Sequence, residues 1–356
     1  MSLKTPVAPA EARPGWFETP EAARAGAAAA PSGTVTYLDA INAALDDVLA
    51  GDERTLLLGQ DIGVMGGAFR VTRGLYEKYG EARVVDTPLA EAALVGMAIG
   101  LAVRGRRPIV ELQFSDFISC AYDQLVTEAA KLHYRFRIPV PLVVRAPSGA
   151  GVGAGPFHSQ SPEGVFAHIP GLKIACPGTV QDAYTLLRAA VDDPDPVLYF
   201  EHKALYRSLR GPLDRAAPPA SPFGAAVRRS GADVTLAAYG GCVRTCLAAA
   251  DRLAERGRAA EVVDLRWLVP LDVETVARSV ERTGRVVIVH EDTTSYGPGA
   301  ELAARLAAER SFFSLDAPIM RVAAPDTPVP LAAPLERAYV PQVEDVVEVA
   351  ERCLRI

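Results

Sequence analysis

The chain of 356 residues has one asparagine, Asn42, and only five histidines and five cysteines. The cysteines (Cys120, Cys176, Cys242, Cys246 and Cys353) are odd in number and widely spaced, which excludes a disulfide framework and points to reduced thiols. Cys242 and Cys246 can share a helix face, but no second Cys or His pair stands near to complete a structural zinc site. His133, His168, His202 and His290 lack the spacing of a shared metal site and read as structural. No apolar run reaches the roughly 20 residues of a membrane span. A basic run of the kind nucleic-acid binding requires is also missing, and the net charge of -6 is spread along the chain. The first 33 residues are rich in Ala, Pro and Gly without the apolar middle of a secretory signal, and Glu11, Glu18 and Glu21 do not suit a transit peptide. They read as a disordered leader, and the protein as cytoplasmic.

What is present is core material. Hydrophobic residues make up 49% and charged residues 22%, a globular balance at a length that suits two domains. Apolar runs at 55–58, 84–85, 109–114, 141–144, 172–175 and 197–200 look like strands buried on both faces. Between them, 91–103, 116–134 and 179–191 have helical length and pattern. Thr36 to Asp39 resembles a capping box opening the first helix. Prolines cluster through 206–228, as in a linker, and a second alternating set follows: strands at 234–238, 261–265, 286–289 and 319–322, with helices at 243–256, from 273, at 300–308 and at 343–353. The expected class is α/β, with two open, mostly parallel sheets flanked by helices. The domains are placed at 34–205 and 229–356, joined by the linker at 206–228.

Three stretches can carry chemistry. Asp86-Thr-Pro-Leu-Ala-Glu91 ends a strand and opens an apolar helix with a glutamate. Glu91 either complements the helix dipole or is a carboxyl in an apolar pocket, its pKa raised by desolvation so that it shares a proton with a ligand nitrogen. Glu111-Leu-Gln-Phe-Ser-Asp-Phe117 crosses from strand to helix, where open α/β sheets bind ligands, although aromatics there are usually plain core. Pro147-Ser-Gly-Ala-Gly-Val-Gly-Ala-Gly-Pro-Phe-His158-Ser-Gln-Ser-Pro-Glu163 places alternating glycines after a strand. The spacing is not that of a dinucleotide fingerprint, and it suits a loop that delivers His158 to a cleft. Ser159, Gln160 and Ser161 can orient that imidazole. The stretches 264–272 and 325–330 look like strand-to-loop joints.

In this order, together with 58–61, 73–80, 170–173 and 201–207, these segments resemble the beta subunit of the thiamine-diphosphate-dependent 2-oxo acid dehydrogenases, within the transketolase-like enzymes. The resemblance covers roughly 34–356. It implies a pyrimidine-binding domain followed by a transketolase C-terminal-like domain. It also implies that Glu91 bonds the aminopyrimidine ring of thiamine diphosphate, that Phe117 stacks on that ring, and that Leu89 and Gln113 line the pocket. By the same resemblance His158 reaches the reacting centre, where it can stabilise or protonate a developing alkoxide. The family anchors the diphosphate and Mg²⁺ through a Gly-Asp-Gly segment with a downstream asparagine. This chain has neither, which implies that an alpha subunit holds them in an α2β2 assembly. A potassium ion near Asp193 and Asp195 stays open, since Pro194 departs from the usual residue there.

The resemblance further implies an oxidoreductase of the EC 1.2.4 type that decarboxylates a 2-oxo acid and passes the acyl group to lipoyl groups of an acyltransferase core. The wording of the two motifs favours branched-chain substrates such as 3-methyl-2-oxobutanoate over pyruvate or acetoin. A non-catalytic scaffold docking the acyltransferase core is the alternative of another class. A one-chain thiamine enzyme is disfavoured for lack of a phosphate-binding domain.

Overall fold

The computed structural model describes residues 33–219, 224–308 and 310–356, so the expected leader lies, but for its last residue, outside the described residues. The Thr36 hydroxyl accepts the Asp39 amide at 3.0 Å while Asp39 accepts the Thr36 amide at 3.2 Å, and this capping box opens helix Tyr37–Gly51. Its stripe of Tyr37, Ile41, Ala44 and Leu45 is fully buried against helix Val180–Asp192.

These two helices cover one face of a seven-stranded sheet. From edge to edge its strands are Trp267–Val269, Lys173–Ala175, Val197–His202, Val143–Ser148, Arg107–Glu111, Thr55–Gly59 and Val84–Asp86. All pair in parallel except Trp267–Val269, which is antiparallel to Lys173–Ala175. Alternate residues serve opposite faces. Leu57, Ile109, Val143 and Tyr199 join the core under Tyr37–Gly51, while Leu56, Leu58, Val110, Val144 and Phe200 join the core under helix Glu91–Val103. A sheet packed on both faces explains the continuous apolar runs.

The second sheet runs Met320–Ala324, Val286–Thr293, Val234–Ala238, Ala260–Asp264, Ala226–Arg229, parallel but for the last strand. Helices Cys242–Ala254, Val273–Thr283, Pro298–Ala308 and Val343–Leu354 flank it. Phe166, Cys176 and Phe200 from the first sheet's side pack in one cluster with Tyr239, Val263 and Leu265 from the second. The class is therefore the expected α/β with two mostly parallel sheets. No helix among the described residues is long and apolar enough to cross a membrane.

Two expectations are corrected. The stretch 116–134 is not one helix: a 3-10 segment Ser115–Ala121 gives way to a wider π segment Gln124–Ala129 and then to helix Ala130–Phe136. Tertiary bonds set the first of these, since the Ser115 hydroxyl donates to the Gln160 carbonyl at 2.9 Å and Asp116 accepts the Gln160 amide at 3.2 Å. The strands expected at 141–144 and 197–200 run on to Ser148 and His202, pairing Pro147 with Glu201 and Ser148 with His202.

Candidate active site

The parallel strands of the first sheet finish on one edge. Register sets Gly59 beside both Asp86 and Glu111, and Glu111 beside Arg145. The chain leaves Thr55–Gly59 to one side as Val84–Asp86 and returns on its other side as Arg107–Glu111. Where winding reverses in this way, a crevice opens outside the carboxyl ends of the strands.

The residues singled out for the cofactor and for catalysis, Leu89, Glu91, Gln113, Phe117 and His158, all follow the carboxyl ends of strands in this sheet. The Thr87 amide donates to Gly59 at 2.9 Å and the Gly63 amide to Asp86 at 2.6 Å, pinning the turn that leads into Glu91. Glu91 is half-buried in the first turn of its helix, where the helix dipole favours a carboxylate. Among the described residues nothing hydrogen-bonds it. The apolar surface beside Glu91 is open: Leu89 is 65% exposed, and Ala92, Ala93 and Met97 are exposed beside it. Gln113, just past the strand end, donates to Asp61 at 3.2 Å.

Phe117 and His158 are brought into contact, with ring centroids 5.5 Å apart at 89°. Phe114 completes the cluster at 4.6 Å from His158 and 6.0 Å from Phe117, all edge to face. His158 is half-buried, and its ring is held by these aromatic contacts. Gly149, Gly151, Gly153 and Gly155 in the loop ahead of it all have positive φ, between 68° and 86°. A Cβ at Gly149 would lie 2.3 Å from the His202 ring. Only glycine fits there.

Behind the loop lies a layer of buried charge that the sequence did not reveal. Arg145 is bidentate to Glu201 at 2.6 and 2.9 Å and also bonds Glu111, with the Tyr206 hydroxyl donating to Glu201 at 2.7 Å. Burial pushes the Glu111 carboxyl up against the opposing pull of Arg145. Lys203, buried over the Phe114 ring at 5.8 Å, is pushed down by burial to about 8. Glu163 is pushed up by burial to about 8, with Asp292 and Glu291 adding to the effect. Glu291 would also rise through burial, but His202, 2.7 Å away, brings it below the usual carboxylate value. His202 therefore has a partner 89 residues along the chain, which no local pattern could disclose.

Asp193 and Asp195 meet Lys173 at 2.6 and 3.0 Å, and Asp195 also meets His133 at 2.5 Å. The one ammonium offsets one of the two carboxylate charges there. Among the described residues no group of three or more His, Cys, Asp or Glu is arranged for a metal ion.

Residues 33–208 match the family model described as the transketolase pyrimidine binding domain, and 224–346 match the transketolase C-terminal domain. The chain is 48% identical over 321 residues to the 2-oxoisovalerate dehydrogenase subunit beta of Bacillus subtilis, covering 89% of this chain and 98% of that one. The chain belongs to the beta subunits of the 2-oxo acid dehydrogenases. Other beta subunits of the family are similar to it at 46% identity (3-methyl-2-oxobutanoate dehydrogenase, Mycobacterium tuberculosis, 90% and 92% of the two chains) and 44% (pyruvate dehydrogenase E1 component, Leifsonia xyli, 93% and 99%). A solved structure titled a split gene transketolase, inactive beta4 tetramer, matches at TM-score 0.72 and 23% identity over 90% of this chain and 98% of that one, a likeness of fold. Membership makes this a subunit of a thiamine-diphosphate-dependent oxidoreductase with an alpha subunit as partner.

Proposed function

We propose that the open edge of the first sheet is half of an active site, in which this chain holds the pyrimidine end of thiamine diphosphate and the alpha subunit holds the diphosphate and its Mg²⁺. The donor set fits that division. Glu91 offers an unpartnered carboxyl, Phe117 a ring set edge-on to His158, Leu89 an exposed apolar side chain and Gln113 an amide, while the sequence has no Gly-Asp-Gly segment. The single observation that carries the reading is the exposure of Leu89, Ala92, Ala93 and Met97 beside that carboxyl, an apolar face left for a second polypeptide to cover.

Bound there, the cofactor supplies a carbanion-forming carbon and an electron sink for decarboxylation. Glu91 would share a proton with the pyrimidine, its carboxyl desolvated once the alpha subunit closes the crevice. His158 would move a proton to or from the carbonyl oxygen of the substrate, with Phe114 and Phe117 fixing its ring plane. The substrate class is branched-chain 2-oxo acids, supported by relatives at 48% and 46% identity that are named for one such acid, with pyruvate next. Acyl transfer to a lipoyl-bearing acyltransferase core completes the reaction.

Glu91→Gln in the reconstituted α2β2 enzyme should lower decarboxylation by about a hundredfold or more while leaving assembly intact. Near-normal turnover would remove Glu91 from the chemistry. The wild-type assembly should turn over 2-oxoisovalerate faster than pyruvate, and the reverse ratio moves the substrate assignment to pyruvate.

A further inference from the structure

The loop that carries His158 is tied down by residues remote along the chain. The Gly151 amide donates to Glu336 at 2.9 Å, and the Gly153 amide donates to both oxygens of the same carboxylate at 3.0 and 3.1 Å. Glu336 is 6% exposed on helix Ala333–Tyr339, some 185 residues further along the chain. Next to it the Ala150 amide donates to Glu291 at 3.0 Å, and the Ala150 side chain is buried with Ala324, Val329 and Tyr339. Gly155 packs on Leu331, whose Cδ1 would lie 3.1 Å from a Cβ there.

Positive φ at alternating glycines turns successive amides to one side, which makes a concave nest for an anion. The nest is filled by a carboxylate of this chain itself. A buried carboxylate accepting three contacts from two backbone amides is a strong and directional tether. Within the loop itself, the His158 amide bonds the Gly155 carbonyl at 3.3 Å, so the tethered glycines run directly into the turn that aims the imidazole.

We propose that Glu336 is a positioning residue for His158. Its carboxylate fixes the glycine loop on the second sheet's side and thereby sets where the imidazole stands against Phe114 and Phe117. The proposal rests on the reading of His158 given above. It assigns no contact between Glu336 and substrate or cofactor.

The test uses the α2β2 enzyme with Glu336→Ala and the near-isosteric Glu336→Gln, which keeps one acceptor oxygen. Hydrogen exchange of the Gly151 and Gly153 amides should quicken by about tenfold or more in the Ala variant and less in the Gln variant. kcat should fall by about ten- to a hundredfold with KM for the 2-oxo acid little changed, since small displacements of a reacting group carry costs of that size. In a His158→Ala background the same Glu336 substitution should add less than about twofold, because both act through one group. Amide exchange unchanged from wild type overturns the tether, and a Glu336 effect that multiplies in full on His158→Ala overturns the positioning role. If the Ala variant does not assemble, the Gln variant decides by the same measurements. If the wild-type assembly decarboxylates no 2-oxo acid, the proposed function and the positioning role fall together, while amide exchange still decides the tether.

Discussion

Glu163 shows how a residue quoted in a motif acquires its properties from groups the motif does not contain. It is 3% exposed, and one carboxyl oxygen has no partner among the described residues. Burial, and then the charges of Asp292 and Glu291, raise it from 4.5 to about 8. The sign follows from proton counting. Between those two values the folded chain holds a proton that the unfolded chain has released, so stability falls as pH rises through that window. Glu163→Gln mimics the protonated form and should match wild type near the lower end. It should then gain on wild type by on the order of 1 kcal/mol per pH unit toward the upper end. Unfolding midpoints measured across the window for both proteins decide the matter. Parallel curves would mean that Glu163 is ionised throughout. Lys203, lowered to about 8 by burial, works in the opposite direction above that value, where the unfolded chain holds the extra proton.

At the level of the strand, the buried cluster of Arg145, Glu111 and Glu201 explains which parts of the fold were legible. Helix Glu91–Val103 and strand Val234–Ala238 are legible to the residue, because predominantly apolar runs with clear breaks carry their boundaries locally. Strand Val143–Ser148 was cut short at Arg145 and Val197–His202 at Glu201, because hydropathy reads a charge as a strand's end. In the fold Arg145 lies opposite Tyr199, so that it reaches diagonally along the adjacent strand to Glu201, and the two charges pair in the interior. The candidate site divides the same way. Glu91, Gln113, Phe117 and His158 follow strand ends that the alternating pattern locates, whereas Glu291 and Glu336 reach the loop from 141 and 185 residues away. Glu201→Ala should cost about 3–5 kcal/mol, since it leaves Arg145 buried with a single carboxylate. Replacing Arg145, Glu111 and Glu201 together by apolar residues of similar volume should cost less than that one change. Denaturant titrations of the two proteins compare them directly, and a mild Glu201→Ala would show that water or a shift of Glu111 screens the arginine.

Across the whole molecule, the two sheets are joined by an exchange that the sequence disguised as a loop. Strand Ala260–Asp264 lies in the second sheet, yet the chain then turns at Arg266 and lays Trp267–Val269 against the edge of the first. Trp267 is 1% exposed and belongs to the first sheet's core, with Val180, Ala183 and Tyr184. Arg228 bonds Asp264 at 2.9 Å and also bonds Asp182 at the start of helix Val180–Asp192, and Arg266 meets Asp182 at 3.2 Å. One sheet's core is thus completed by a side chain whose backbone issues from the other, so neither can unfold without exposing part of its neighbour. Calorimetry of the wild-type chain should therefore show a single transition, and Trp267→Ala should lose about 3–5 kcal/mol of stability. The variant should also resolve into two transitions, the first sheet melting ahead of the second, because the exchanged strand then loses its largest side chain from the first sheet's core. Two well-separated transitions in the wild type would mean that the sheets are independent units and that the exchanged tryptophan is mere edge packing. A variant that melts at the wild-type temperature would mean the same of its contribution to the core, and the coupling would then reside in the shared apolar cluster, the His202–Glu291 pair and the Asp182 ion pairs.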